Sequence, residues 1–200
     1  MKTREKIEWV RTLFHISTGM AIILIYGLTD ISRKWSLVIL GTVALFFLLG
    51  DIFRQFIPRV NCLAKKIFRS LMRPEEEKKL AATTYYVIGC WFAIFAFTRL
   101  VACLCLLFLV VGDTLTKIVR EISGKERAHY ITLKATLANF LVCFLMAYLI
   151  LRIVDQPYPL FLSFLGALGA SMAELVPRID NLTIPIFSGT LLTLGLYLFH

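Results

Sequence analysis

The chain has 200 residues, 58% of them apolar, with a formal net charge of +9 and a mean hydropathy of +0.78. A soluble domain is about 45–50% apolar, so the long near-uncharged runs define an α-helical membrane protein and leave no strand-like alternation for a β-barrel. The basic excess lacks an interleaved aromatic patch, which points to cytoplasmic loops and anionic lipid and excludes nucleic acid as the partner.

Residues 1–12 are charged and lead into a first span over 13–28. No small-residue cleavage site follows, so this span is expected to be kept rather than removed as a signal peptide. A short turn over 29–34 precedes a second span over 35–49. From Asp51 the pattern changes: Phe53, Phe56, Ile57, Val60, Leu63 and Ile67 recur at helical spacing, with Arg54, Arg59, Lys65, Lys66 and Arg69 between them. Over 51–72 this reads either as a basic amphipathic helix lying in the interface, broken at Pro58, or as a cytoplasmic extension of the second span. After a charged loop come a third span over 81–97 and a fourth over 100–119. A polar loop over 120–131 follows, then a fifth span over 132–153. The sixth span, over 160–176, is rich in small residues that permit close helix approach. The seventh, over 182–199, contains Pro185 and Gly189, which are expected to loosen it. No soluble segment is long enough for its own core, so residues 1–200 form one membrane domain.

The distribution of charge orients these spans. Of the 22 lysines and arginines, 18 fall on the side that holds the N-terminus, leaving Arg33, Lys34, Arg99 and Arg152 opposite. The same side holds 11 of the 13 acids, all but Asp30 and Asp155. The positive-inside rule then favours an odd count, about seven transmembrane helices, with a cytoplasmic N-terminus. The five cysteines form no CxxC or Cys/His metal pattern and read as small core residues.

Several polar groups gather on that face. Glu8, Arg11, Thr12 and His15 share one helical face; Arg11 and His15 either clamp a phosphate or snorkel and face the bundle. Glu75 and Glu76 with Thr83 and Thr84 either line a polar site or belong to a solvated charge run. Asp113 and Lys117 sit at i,i+4, a spacing that makes a simple ion pair, while Gly112 leaves room for close approach to the carboxylate, which would suit Mg²⁺. Gly124-Lys125 offers backbone amides and an ammonium to phosphates. Glu174, in the last turn of a helix, is unfavourable without a cationic partner. Asp180-Asn181 caps the seventh span or joins the site. The Asn181-Leu182-Thr183 sequon falls on the cytoplasmic side and is discounted.

In this order, four stretches resemble the CTP-dependent lipid kinase family: dolichol kinase, phytol kinase and CTP-dependent diacylglycerol kinase. Glu8-Trp9-Val10-Arg11-Thr12-Leu13-Phe14-His15 is similar to the family's E-x-x-R-K-x-x-H. Glu75-Glu76 followed by Ala82-Thr83-Thr84-Tyr85-Tyr86 is similar to its E-E…G-A-T-Y-Y region. Gly112-Asp113 through Gly124-Lys125 resembles its G-D…G-K loop, and Ala173-Glu174 with Asp180-Asn181-Leu182-Thr183-Ile184-Pro185 resembles its A-E…D-N-L-x-I-P ending. The departures are Thr12 for a lysine, the missing G-R pair after Asp113, and Ile131-Thr132-Leu133-Lys134-Ala135-Thr136 where the family has K-[ST]-L-E-G-[ST].

The resemblance implies an integral-membrane kinase that phosphorylates a lipid alcohol from CTP with Mg²⁺. Asp113 and Asp180 would hold the metal, and Arg11, His15, Lys117, Gly124, Lys125 and Asn181 the phosphates. Lys134 would stand in for the lysine missing at 131. Asp113 or Glu174 would accept the hydroxyl proton, and Glu75, Glu76, Thr83 and Thr84 would line the substrate site. The alternatives are a CTP-lipid cytidylyltransferase and, from another class, a catalytically degenerate lipid- or partner-binding membrane protein. The implied partners are membrane lipids, the lipid alcohol and the nucleotide, with oligomerisation left open. The cell membrane is expected rather than an internal one, with the active face cytoplasmic.

Overall fold

Apolar runs become helices because a bilayer offers no water to backbone N–H and C=O groups. The computed structural model describes residues 2–67, 79–122, 128–173, 176 and 179–198, with side chains described from Trp9 onward except at 64, 65, 67, 121, 122 and 128–132. Among these residues the chain is all-helical. Helix α1 (Lys2–Leu28) is followed by α2 (Arg33–Phe56), whose N-cap Ser32 accepts the Trp35 N–H at 3.4 Å. α2 continues past the expected end at 49 and stops at Ile57, which is extended (φ −116°, ψ 105°) as the residue before a proline prefers to be. Pro58 then opens α3 (Pro58–Ile67), where its missing N–H costs nothing. Next come α4 (Ala82–Ala96), α5 (Arg99–Leu107), a π turn (Phe108–Gly112) and α6 (Asp113–Ile122), the last three continuous. α7 (Ala128–Ile153), α8 (Pro159–Ala173) and α9 (Asp180–Leu198) complete the chain. The loop expected over 120–131 is shorter than its sequence suggests, since α6 reaches Ile122 and α7 begins at Ala128.

Among the described residues five stretches are long and apolar enough to cross a membrane: Trp9–Leu28, Arg33–Phe56, Arg99–Arg120, Leu133–Ile153 and Asp180–Leu198. The expected third and sixth spans are the shorter apolar helices α4 and α8, of 15 residues each. A turn at Phe97 ends α4 early, and α8 begins only after the Asp155–Pro159 reversal. In that reversal Asp155 and Tyr158 take left-handed φ values of 50° and 52°, each at a cost of roughly 1 kcal/mol for a non-glycine residue.

The contacts define two ends of the bundle. At one, Arg33 Nε donates to Ile94 O at 2.9 Å, while Arg99 donates to Ile31 O at 2.7 Å and lies over the Tyr26 ring. Two of the four basic residues assigned to this side thus satisfy carbonyls, Arg33 at the C-terminus of α4 and Arg99 in the turn after α1. At the other end meet the N-terminal half of α1, the C-terminus of α2, the N-termini of α4 and α9, and the start of α6.

The segment from Arg99 to Arg120 is the central post. Of its most apolar stretch 72% is buried, against 17% in α2 and 22% in α1 and α7. Leu104, Leu106, Phe108 and Leu109 pack there with Tyr86, Ile94, Leu162, Ile184 and Leu192. α2 and α7 turn large apolar faces outward, including Leu133, Leu137, Leu141, Leu145 and Leu149. The small residues of α8 act as expected: a Cβ on Gly169 would lie 2.7 Å from the Ser188 Cα of α9. Pro185 does not break α9, which runs unbroken from Asp180 to Leu198. It withholds an N–H from the Asn181 carbonyl four residues back, and Gly89, lacking a Cβ, lets α4 approach that carbonyl.

Candidate functional site

α1 brings Arg11 and His15, one turn apart, to its inward face, and both are buried. The neighbouring Trp9, Val10 and Leu13 point outward, so it is amphipathic rotation that sends the two polar groups inward. The His15 ring stacks on Tyr86 with centroids 4.2 Å apart. The buried Tyr86 hydroxyl donates to the His15 carbonyl at 3.1 Å. His15 is thereby held against α4.

Asp113 is the first residue of α6, directly after the π turn. It is buried, and its carboxylate accepts from the part-exposed Lys117 ammonium. The simple i,i+4 ion pair of the sequence reading is therefore present. Gly112 does permit a close approach, but the group that uses it is Asn139 of α7: a Cβ at 112 would run into Asn139 Oδ1 and lie 2.9 Å from Cys143 Sγ. Asn139 Oδ1 accepts from the Cys143 thiol at 3.1 Å, and the Thr116 hydroxyl returns to the Gly112 carbonyl at 3.0 Å. The π turn thus ends in a helix contact tight enough to fix Asp113. Such turns often mark functional positions in helices.

α9 contributes Asp180 and Asn181. Asp180 Oδ1 accepts the Asn181 N–H at 3.0 Å, and the charges of Asp113, Lys117 and Arg11 all act on Asp180. Arg11, Asp113, Lys117 and Asp180, drawn from three helices, therefore share one electrostatic neighbourhood. Asn181 (1% exposed) donates through Nδ2 to Ala82 O at 3.1 Å, joining the starts of α9 and α4. Asn181 Oδ1 and the hydroxyl of Thr83 (4% exposed) have no hydrogen-bond partner among the described residues. Leaving a buried polar atom unpaired is costly, which sets these two apart from the satisfied groups around them.

Thr84 serves another purpose. It is fully buried, and its hydroxyl donates to Asp51 Oδ2 at 2.5 Å. Asp51 Oδ2 also accepts the Ala81 N–H at 2.7 Å, and Asp51 Oδ1 accepts from Arg54 Nε at 2.5 Å. Arg54 in turn donates to the Lys79 carbonyl. This buried pair, 6% and 2% exposed, caps α4 from a remote helix. Arg54 therefore does not belong to the outward basic face where helical spacing put it. An i,i+3 acid–base pair closing an apolar run was the available signal, the same kind that marked Asp113 and Lys117.

Lys134 is exposed on α7. Glu75, Glu76, Gly124, Lys125 and Glu174 lie outside the described residues. Among the described residues no group of three or more His, Cys, Asp or Glu side chains is placed to hold a metal. Two carboxylates, Asp113 and Asp180, lie near enough for the charge of one to act on the other, and one or two carboxylates is the number Mg²⁺ takes from protein when phosphate oxygens and water supply the rest.

No protein-family model, no curated protein and no solved structure matches this chain. Fold and site together define the class: an all-helical protein with several membrane-length helices and an ionisable cluster at one end of the bundle.

Proposed function

We propose that this chain is an integral-membrane kinase that transfers the γ-phosphate of CTP to a lipid alcohol at the cytoplasmic face of the cell membrane. The observation that carries the reading is the convergence of Arg11, Asp113, Lys117 and Asp180 from α1, α6 and α9. Two carboxylates and two cations in a largely buried site suit a polyphosphate ligand better than an apolar one. Phosphoryl transfer asks mainly for positioning and charge neutralisation. Arg11 and Lys117, with Lys125, would neutralise phosphate oxygens; Thr83 and Asn181 would give polar contacts to the ligand. Asp113 and Asp180 would hold Mg²⁺, which when bound offsets triphosphate charge. Asp113 or Glu174 would accept the proton of the alcohol, whose chain would lie between helices.

In the same reading all seven bundle segments cross the membrane. At 1.5 Å per residue α4 and α8 span roughly 22 Å, short of the roughly 30 Å hydrocarbon core. Both pack on α9 inside the bundle. A reporter fused after His200 should then be external while one before Met1 is cytoplasmic; both reporters on one side would refute seven crossings.

The activity test is transfer of labelled γ-phosphate from CTP or ATP to polyprenol, phytol-like alcohol and diacylglycerol by the purified protein. The expected products are CDP and a phospholipid, and Asp113→Asn should abolish transfer while the variant still folds. Release of pyrophosphate would assign cytidylyl transfer instead. CTP binding without transfer to any acceptor would assign a degenerate lipid- or partner-binding protein.

A further inference from the structure

We infer that α3 and the last turn of α2 form a binding surface for anionic phospholipid headgroups. The inference stands independently of the kinase reading. α3 leaves the bundle: its described residues pack chiefly on α2, from which the Ile57-Pro58 break separates it. Arg59, Cys62, Leu63 and Lys66 are all exposed. At 3.6 residues per turn they fall within an arc of about 100°, while Val60 and Asn61 are half-buried. Just before α3, α2 exposes Phe53 (53%) and Phe56 (80%), and the linking Ile57 is 43% exposed.

Cations and leucine on one face of α3, with exposed phenylalanines on the turn of α2 that precedes it, do not suit water, nor the hydrocarbon core. They suit the level between, where rings and methyls sink and long cations reach phosphates. Charge selects the lipid. Between Asp51 and Glu75 the sequence holds six basic residues and no acid; of those described, Arg54 is buried on Asp51 while Arg59 and Lys66 are exposed. Two such cationic faces would repel each other, which disfavours a second copy as occupant. An interfacial helix would begin at Pro58, where α3 starts, and not at Asp51, which lies within α2.

Cys62 supplies the probe. It is the exposed cysteine, whereas Cys90, Cys105 and Cys143 are buried and Cys103 is intermediate. In the full chain carrying Cys103→Ser, a nitroxide on Cys62 is read in phosphatidylcholine nanodiscs with and without phosphatidylglycerol. The label should lie at headgroup depth, protected from an aqueous relaxant, and become less mobile when phosphatidylglycerol is present. Preference for spin-labelled phosphatidylglycerol over phosphatidylcholine should fall roughly fivefold for each of Arg59→Gln and Lys66→Gln. A label fully open to the aqueous relaxant in both discs would overturn the inference, leaving α3 clear of the bilayer. So would an unchanged lipid preference in the double variant, or immobilisation that follows protein copies per disc instead of phosphatidylglycerol.

Discussion

Replacing Asp51 by asparagine removes one charge from a buried pair and leaves the other. Asp51 receives Arg54 Nε at 2.5 Å, the Ala81 N–H at 2.7 Å and the Thr84 hydroxyl at 2.5 Å. An asparagine keeps one acceptor oxygen but cannot compensate Arg54, which is 2% exposed. Breaking one side of a buried ion pair costs about 3–5 kcal/mol. At roughly 2–4 °C per kcal/mol for a chain of this size, the melting temperature should fall by roughly 6–20 °C. Removing both charges, as in Asp51→Leu with Arg54→Met, leaves chiefly the Ala81 N–H and Thr84 hydroxyl without an acceptor, at about 1–3 kcal/mol each. The double variant should therefore melt well above the sum of its two single losses. Three of the five cysteines are buried, so a thiol-reactive dye in detergent reports the unfolding directly. An Asp51→Asn protein melting within about 2 °C of wild type would refute the reasoning, as would strict additivity in the cycle, because the pair would then not be electrostatically coupled.

Gly112→Ala should destabilise by about 1–3 kcal/mol through its clash with Asn139, and Asn139→Ala should restore part of the loss in a thermal melt. Tyr86→Phe removes the donor to the His15 carbonyl and should cost about 1 kcal/mol, with a loss of CTP affinity if His15 orientation matters to binding. Arg99→Gln should destabilise the opposite end of the bundle, where Arg99 meets Thr29 O, Ile31 O and the Tyr26 ring, without changing nucleotide binding by titration calorimetry. Lys134→Ala should lower γ-phosphate transfer if Lys134 stands in for the missing lysine at 131; unchanged kinetics would remove that role.

The Asp113–Lys117 pair was legible because both residues lie on one helix and a pitch of 3.6 residues sets their distance. The nearness of Asp113 to Asp180 was legible only as a shared face, inferred from which ends of alternating spans face the same way. The Asp51 site was not legible, although its i,i+3 spacing to Arg54 was. Its other partners, Ala81 and Thr84, sit on a different helix. Nothing in local spacing says that α2 turns Asp51 toward them. The same ignorance put Arg54 on the outside and Thr84 in the ligand site.

The sequence alone determined the helices, the membrane class and the gathering of polar residues at one end, because apolar run length and charge distribution are read along the chain. Only tertiary structure decided the rotation of each helix about its axis. That rotation follows from which faces pack, and so from contacts distant in sequence. It sent Arg11 and His15 inward, buried Arg54 on Asp51, and set Gly112 against Asn139. It also left Arg59, Leu63 and Lys66 facing out.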